Sequence, residues 1–174
     1  MDSGPSNFRA QLALMVPKLR RFGHALTGSA DAADDLVQDA LERAIRKEAQ
    51  FEPGTRLDSW MFRIMQTLWI DDSRKRKVRR DHAAGLAQIW PSTGEDGRVS
   101  FPDKIAVTEV RDAMARLPED CRAVLALVTI EGLSYLEAAD ALDIPPGTVM
   151  SRLARARRLL LDLIDPPPER GTKT

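Results

Sequence analysis

The stretch EGLSYLEAADALDIPPGTVMSRLARARRLL, residues 131–160, decides how the whole chain is read. It holds two amphipathic segments either side of a break at Pro145, Pro146 and Gly147, and four arginines fall in the seven-residue window 152–158. Ser134 followed by Glu137 is a capping-box spelling, in which hydroxyl and carboxylate each satisfy a backbone amide that a helix start leaves open. Beyond the break, Val149, Leu153, Ala156, Leu160 and Leu163 step by four, three, four and three. That spacing predicts one long helix to about Ile164, where DPPP stops it. Ser151, Arg152, Arg155 and Arg158 then project together from the opposite side, because positions three and four apart share a face.

A short capped helix, a tight break and a second helix with a free N-terminus make the layout of a helix-turn-helix, whose second helix enters the major groove. Outward arginines there donate to guanine edges or to phosphates, while Thr148 and the free amides near the helix start suit a backbone phosphate. A plain surface helix with solvated arginines has the same outward residues. The rest of the chain has to weigh one against the other.

The chain has 174 residues, enough for one ordinary domain or two small ones, and its 43% hydrophobic fraction suffices for real cores. Lysine and arginine together number 26, as do aspartate and glutamate, so the formal net charge is zero and only local patches can serve a polyanion. A single cysteine, Cys121, rules out an internal disulfide and, with no signal-peptide pattern, suggests a reducing cytoplasm. No apolar run approaches the roughly 20 residues of a membrane span.

Phe8, Leu12, Met15, Leu19, Phe22 and Leu26 predict a first helix, with Pro17 expected to kink it or to mark its true start. Gly28 and Ser29 end it and offer an N-cap to the next. The second helix carries Leu36/Val37, Ala40/Leu41 and Ala44/Ile45 on a broad apolar face, with Asp34, Asp35, Asp39 and Glu42 largely off it. FEPGTRLDS, residues 51–59, is a break centred on Pro53 and Gly54. A third helix follows through Trp60/Met61, Ile64/Met65 and Leu68/Trp69, running out into RKRKVRR, residues 74–80, where six of seven side chains are basic. Residues 91–103 lack helical periodicity and read as a linker. Val107, Val110, Met114 and Leu117 resume the helical pattern, and CRAVLALVTIEG forms an apolar helix ended by Gly132. No segment alternates as a strand does. The expected fold is all-α: two small helical bundles joined by a flexible linker.

LPEDCRAVLALVTIEGLSYLEAADALDIPPGTVMSRLARARRLL is similar to region 4 of the extracytoplasmic-function (ECF) sigma factors, whose recurring pattern is LP…R.V..L…EG.SY.EIA..L.IP.GTV.SRL.RAR. Ala138-Ala139 stands where the family usually has Ile-Ala. The N-terminal half resembles region 2, with ADDLVQDALERA (33–44) matching the segment that docks on polymerase. F.PGT.L.SWMFRI…..IDDSRKRK matches the promoter-melting segment. The resemblance covers about residues 8–164 in the right order, and two motif blocks are far more specific than one helix-turn-helix. Many relatives carry Asn at the place of Thr67 and His at Asp72, and these departures bear on −10 preference. The GSADAADDLVQDALERA and F.PGT spellings are similar to those of the general-stress subgroup.

The resemblance implies a protein that makes no bonds and needs no cofactor. It would recruit core RNA polymerase to promoter DNA under the control of an anti-sigma factor. It places region 2 at 6–90, the linker at 91–103 and region 4 at 104–166. Polymerase docking falls to Asp34, Asp35, Leu36, Gln38, Asp39 and Glu42, although Leu36 and Val37 also fit a core, and carboxylates favour a helix N-terminus anyway. Capture and melting of the −10 element fall to Phe51, Pro53, Thr55, Arg56 and Asp58, with Phe51 packed beneath the loop as the alternative. Trp60 and Trp69 fit the apolar face of the third helix better than base stacking. Arg74, Lys75, Arg76, Lys77, Arg79 and Arg80 suit upstream duplex phosphates. The −35 element is assigned to Thr148, Ser151, Arg152 and Arg155, with Arg158 on phosphate and Arg122 adding a backbone contact. The linker either threads toward the polymerase active centre or is only a tether.

Catalysis finds little support. His24 and His82 stand in no metal-ligand spacing, and there is no phosphate loop, CxxC pair or nucleophile elbow. The carboxylates at 34, 35, 39 and 42 could in principle bind a divalent ion, but adjacent and i,i+4 acids on one exposed face are common, and Cys121 reads as a packed thiol. The competing readings are a helix-turn-helix regulator working without core polymerase and a helical protein-binding adaptor. The first leaves the 33–44 block unused, and the second leaves the basic residues unexplained.

Overall fold

A computed structural model describes residues 5–52, 54–84 and 102–165, with the side chains of 5–6, 77, 80–84 and 102–108 outside that set. Pro53, the side chains of Lys77 and Arg80, and the expected linker as far as 101 therefore lie outside the described residues. The elements run α1 (Pro5–Thr27), α2 (Ala30–Arg46), a 3₁₀ turn (Glu48–Gln50), α3 (Leu57–Ala84), α4 (Pro102–Arg116), α5 (Glu119–Leu125), a π-helical turn (Ala126–Ile130), α6 (Tyr135–Leu142) and α7 (Pro146–Ile164). Every regular element among the described residues is helical, as the periodicity predicts.

In the first bundle α1 buries Phe8, Leu12, Leu19, Phe22 and Leu26 against Met61, Phe62, Met65 and Trp69 of α3 and Leu36, Val37 and Ala40 of α2. Phe22 and Phe62 meet edge to face at 4.8 Å. Pro17 does not start the helix: α1 runs through it from Pro5. The carbonyl that Pro17 leaves without an amide is that of Ala13, and both residues are on the exposed face, so water can serve it. Gly23 sits where α1 crosses α2, and a Cβ there would lie 3.3 Å from the Ala33 carbonyl oxygen. Gly28 takes φ +73° to end α1, and the Ser29 side chain caps α2 at the Ala32 amide. Ile45, expected on the apolar face of α2, is 41% exposed, because the buried stripe ends at Ala44.

The second bundle packs α5, α6 and α7 around Cys121, Val124, Leu127, Leu142, Val149 and Leu153. The predicted capping box is present: Ser134 Oγ accepts from the Glu137 amide at 3.3 Å, and Glu137 accepts from the Ser134 amide at 2.8 Å. Asp143 ends α6 in the left-handed conformation, and Pro146 occupies the first turn of α7. The apolar helix predicted from Cys121 widens into a π turn after Leu125, closed by the Glu131 amide on the Ala126 carbonyl at 3.1 Å.

The bundles are docked on each other. Helix α3 packs along α6, while α1 packs against α4, α5 and the π turn.

Candidate nucleic-acid and polymerase interfaces

The helix that follows the Pro145–Gly147 break offers a polar outer face. Val149, Leu153 and Ala156 are buried, while Ser151, Arg155 and Arg158 are exposed and Thr148 and Arg152 half-buried. The Ser151 hydroxyl bonds back to the Thr148 carbonyl at 3.0 Å. Arg152 Nε lies 3.2 Å from an Asp120 carboxylate oxygen on α5, whereas Arg155 and Arg158 have no ion pair among the described residues. Sequence reasoning left out the apolar side chains beside them: Tyr135, Leu136 and Met150 are all more than 40% exposed.

Arg122 stands apart from that face. Its guanidinium donates to the carbonyls of Leu26 (2.6 Å), Leu117 (3.0 Å) and Ala115, and lies 5.3 Å from the Trp69 ring centroid. Leu26 and Trp69 belong to the first bundle, so the residue expected to add a DNA-backbone contact is a staple between bundles in this arrangement. Burial pulls its pKa below the ordinary arginine value, with Glu119 opposing the shift.

The loop before α3 is held by ionic contacts. Asp58, in the first turn of α3, accepts from Arg56 at 2.7 and 3.0 Å, from Lys18 at 2.9 Å and from the Ser59 amide at 2.9 Å. The Arg56 hydrogen bond above all, with Lys18 and the amide, holds its carboxyl well below the usual carboxylate range, although burial works the other way. A carboxylate so occupied anchors the loop and has little left for a base. Phe51 is half-buried against Phe8 (5.6 Å) and Trp60 (5.4 Å), which is the packed alternative. Trp60 also lines a polar cleft of about 300 Å³, together with Gln50, Glu52, Thr55, Arg56, Arg63 and Asp140. Asp140 comes from α6, and Arg63 was not singled out in the sequence.

Along α3 the basic run stays helical instead of trailing away as a tail. Arg74, Lys75, Arg76 and Arg79 are exposed, with Arg76 paired to Asp72 at 3.1 Å. On α2, Asp34, Asp35, Gln38, Asp39 and Glu42 are all exposed. Asp34 pairs with Arg20 at 2.8 Å, and Gln38 with Glu42 at 3.3 Å. Leu36 is 9% exposed and packs in the core with Val37, the second of the two places its sequence allowed. It forms part of the floor of a groove of about 460 Å³ between α2 and α3, edged by Asp35, Asp39, Asp71 and Lys75. Among the described residues no cluster of His, Cys, Asp and Glu could hold a metal ion, and no helix is long and apolar enough to cross a membrane.

Residues 12–66 match the model described as the Sigma2 domain of PhyR, and residues 108–160 that of Sigma-70, region 4. The ECF RNA polymerase sigma factor EcfG of Rhodopseudomonas palustris is 37% identical over 160 residues, covering 91% of this chain and 85% of that protein. The sigma-E factor of Escherichia coli K12 is 31% identical over 140 residues, covering 76% and 73%. Among solved structures, the sigma factor RpoE of Bartonella quintana in complex with the anti-sigma factor NepR aligns with TM-score 0.73 and 31% identity, covering 91% of this chain and 96% of that one. The PhyRSL–NepR complex of Sphingomonas sp. Fr1 aligns with TM-score 0.61 and 26% identity, covering 95% of each chain. The chain belongs to the ECF RNA polymerase sigma factors.

Proposed function

We propose that this chain is an alternative sigma factor that binds core RNA polymerase, directs it to promoters through −35 and −10 elements, and is held in check by an anti-sigma factor. Its work is binding and strand opening without bond making, in the cytoplasm, in response to stress. The exposed carboxylates of α2 and the groove beside them supply the polymerase contact, complementing a basic surface. The loop at 51–58 and its cleft take the −10 strand, with Thr55 and Arg56 at the mouth. Arg74, Lys75, Arg76 and Arg79 grip the duplex upstream. Thr148, Ser151, Arg152 and Arg155 read the −35 element, and Arg158 sits on phosphate.

The observation that carries this reading is the order of the two family matches, 12–66 and 108–160, with an exposed acidic helix in the first and an exposed arginine face in the second. Anti-sigma control is supported by two related structures, each in complex with NepR. The test is co-elution with purified core polymerase. The wild type should elute with core, and D35N/D39N/E42Q should bind more weakly. A wild type that elutes alone would overturn the reading.

A further inference from the structure

Four acidic residues of the second bundle reach across to arginines of the first. Arg21 on α1 meets Glu131 at 3.0 Å. Arg56, in the loop assigned to the −10 strand, meets Glu137 on α6. Arg63 on α3 donates to the Asp140 carbonyl and stands 3.7 Å from the Asp140 carboxylate and 4.0 Å from that of Asp143. Glu137 and Asp140 are three apart and share one face of α6, with Asp143 just past its end. Asp140 also closes one side of the cleft that holds Thr55, Arg56 and Trp60.

We infer that the acidic edge of α6, Glu137, Asp140 and Asp143, is an internal stand-in for nucleic-acid phosphate. By occupying Arg63 and the Nη1 side of Arg56, which Asp58 leaves open, it keeps the free protein from engaging a single strand until the bundles part. The inference rests on the proposed role of the 51–58 loop. Negative oxygens pair with a guanidinium in the same way whether they come from carboxylate or phosphate, so a strand and α6 compete for the same two arginines. The cleft mouth also admits a strand poorly while α6 lies across it, because α3 and α6 pack along each other. Each pair is partly exposed, so the closure is shallow and salt-sensitive, as a contact that core polymerase must undo needs to be. A competent state populated only in part weakens apparent affinity by that fraction, and removing the competing carboxylates restores it.

The test uses the full chain and E137Q/D140N/D143N. Gln still completes the capping box at 137, and Asn tolerates the left-handed conformation at 143. A control, D31N/E48Q/E109Q, removes the same charge away from the interface. The probe is a fluorescein-labelled single-stranded DNA oligonucleotide of random sequence, read by anisotropy, with the radius of gyration from small-angle X-ray scattering. The interface variant should expand and bind the probe about tenfold tighter than the control. R56A/R63A should expand as well but gain nothing, because the receiving arginines are gone. An interface variant as compact as wild type, or one that expands without gaining affinity over the control, would overturn the inference and leave the sigma reading standing. Failure of both wild type and variant to co-elute with core polymerase would instead overturn the reading beneath it.

Discussion

Arg152 on the arginine face of α7 is tied back to Asp120 at the start of α5, Nε to carboxylate oxygen at 3.2 Å, while Arg155 one turn on points free of any ion pair among the described residues. The two arginines therefore enter a major groove differently. A guanidinium already held in one orientation loses less freedom when it meets a base edge. Arg152→Ala should weaken binding to a specific −35 element by about 1–3 kcal/mol and relax preference at one position. Gel-shift titration against a set of single-base variants checks this. A loss spread evenly over all sequences would place Arg152 on phosphate.

The basic extension of α3 should account for a share of the salt dependence. Each phosphate contact on duplex DNA contributes about 0.9 to the slope of log affinity against log salt. Neutralising Arg74, Lys75 and Arg79 together should lower that slope by about 2–3, measured on an upstream duplex fragment. An unchanged slope would leave the run without a DNA role.

Asp58 sets the acid behaviour of the −10 loop. Its folded-state pKa is depressed, chiefly by Arg56, so its contribution to stability is fully present above the unfolded carboxylate value of about 4 and is lost as pH falls below it. Asp58→Asn should flatten the fall of unfolding free energy between about pH 4 and 2, without changing the salt slope of duplex binding. Urea titrations at several pH values read this directly. A wild-type and variant pair with parallel acid limbs would contradict it.

Arg122 joins the bundles through carbonyls of both. Charged donors to carbonyls contribute about 1.5–3 kcal/mol each before losses elsewhere, and only the planar fork of arginine can reach several at once. Arg122→Lys should therefore fail to restore what Arg122→Ala loses. Both should widen the radius of gyration, and both should lower the unfolding free energy by about 2 kcal/mol. A lysine variant as compact as wild type would show that charge alone holds the contact.

Local chemistry made much of the fold legible. The capping box at Ser134, the Ser29 cap and the 3.6-residue stripes of α1, α2 and α7 are each written within a few neighbouring residues. The π turn at Ala126–Ile130 is not, because one extra residue per turn within a continuous apolar run leaves no mark on its pattern. That α1 runs on through Pro17 is not written there either: the cost of a proline depends on whether the stranded carbonyl reaches water, and that is a property of the packed helix. At the site, exposure of the α7 arginines and the α2 carboxylates follows from periodicity. The roles of Arg56, Arg63 and Arg122 do not. Arg63 and Asp140 are 77 residues apart, and no spacing rule joins positions on separate bundles. Leu36 was ambiguous because a leucine beside aspartates at a helix surface and a core leucine have the same spelling.

The most direct test of the sigma assignment is multi-round transcription with purified core polymerase on a pool of genomic promoter fragments, with and without this protein. Transcripts that start at a discrete set of promoters only when it is added are the predicted result, and their shared upstream sequences would supply the −35 and −10 elements. Sequence-selective DNA binding by the protein alone, with no added transcripts, would contradict the account and leave the acidic face of α2 without a partner.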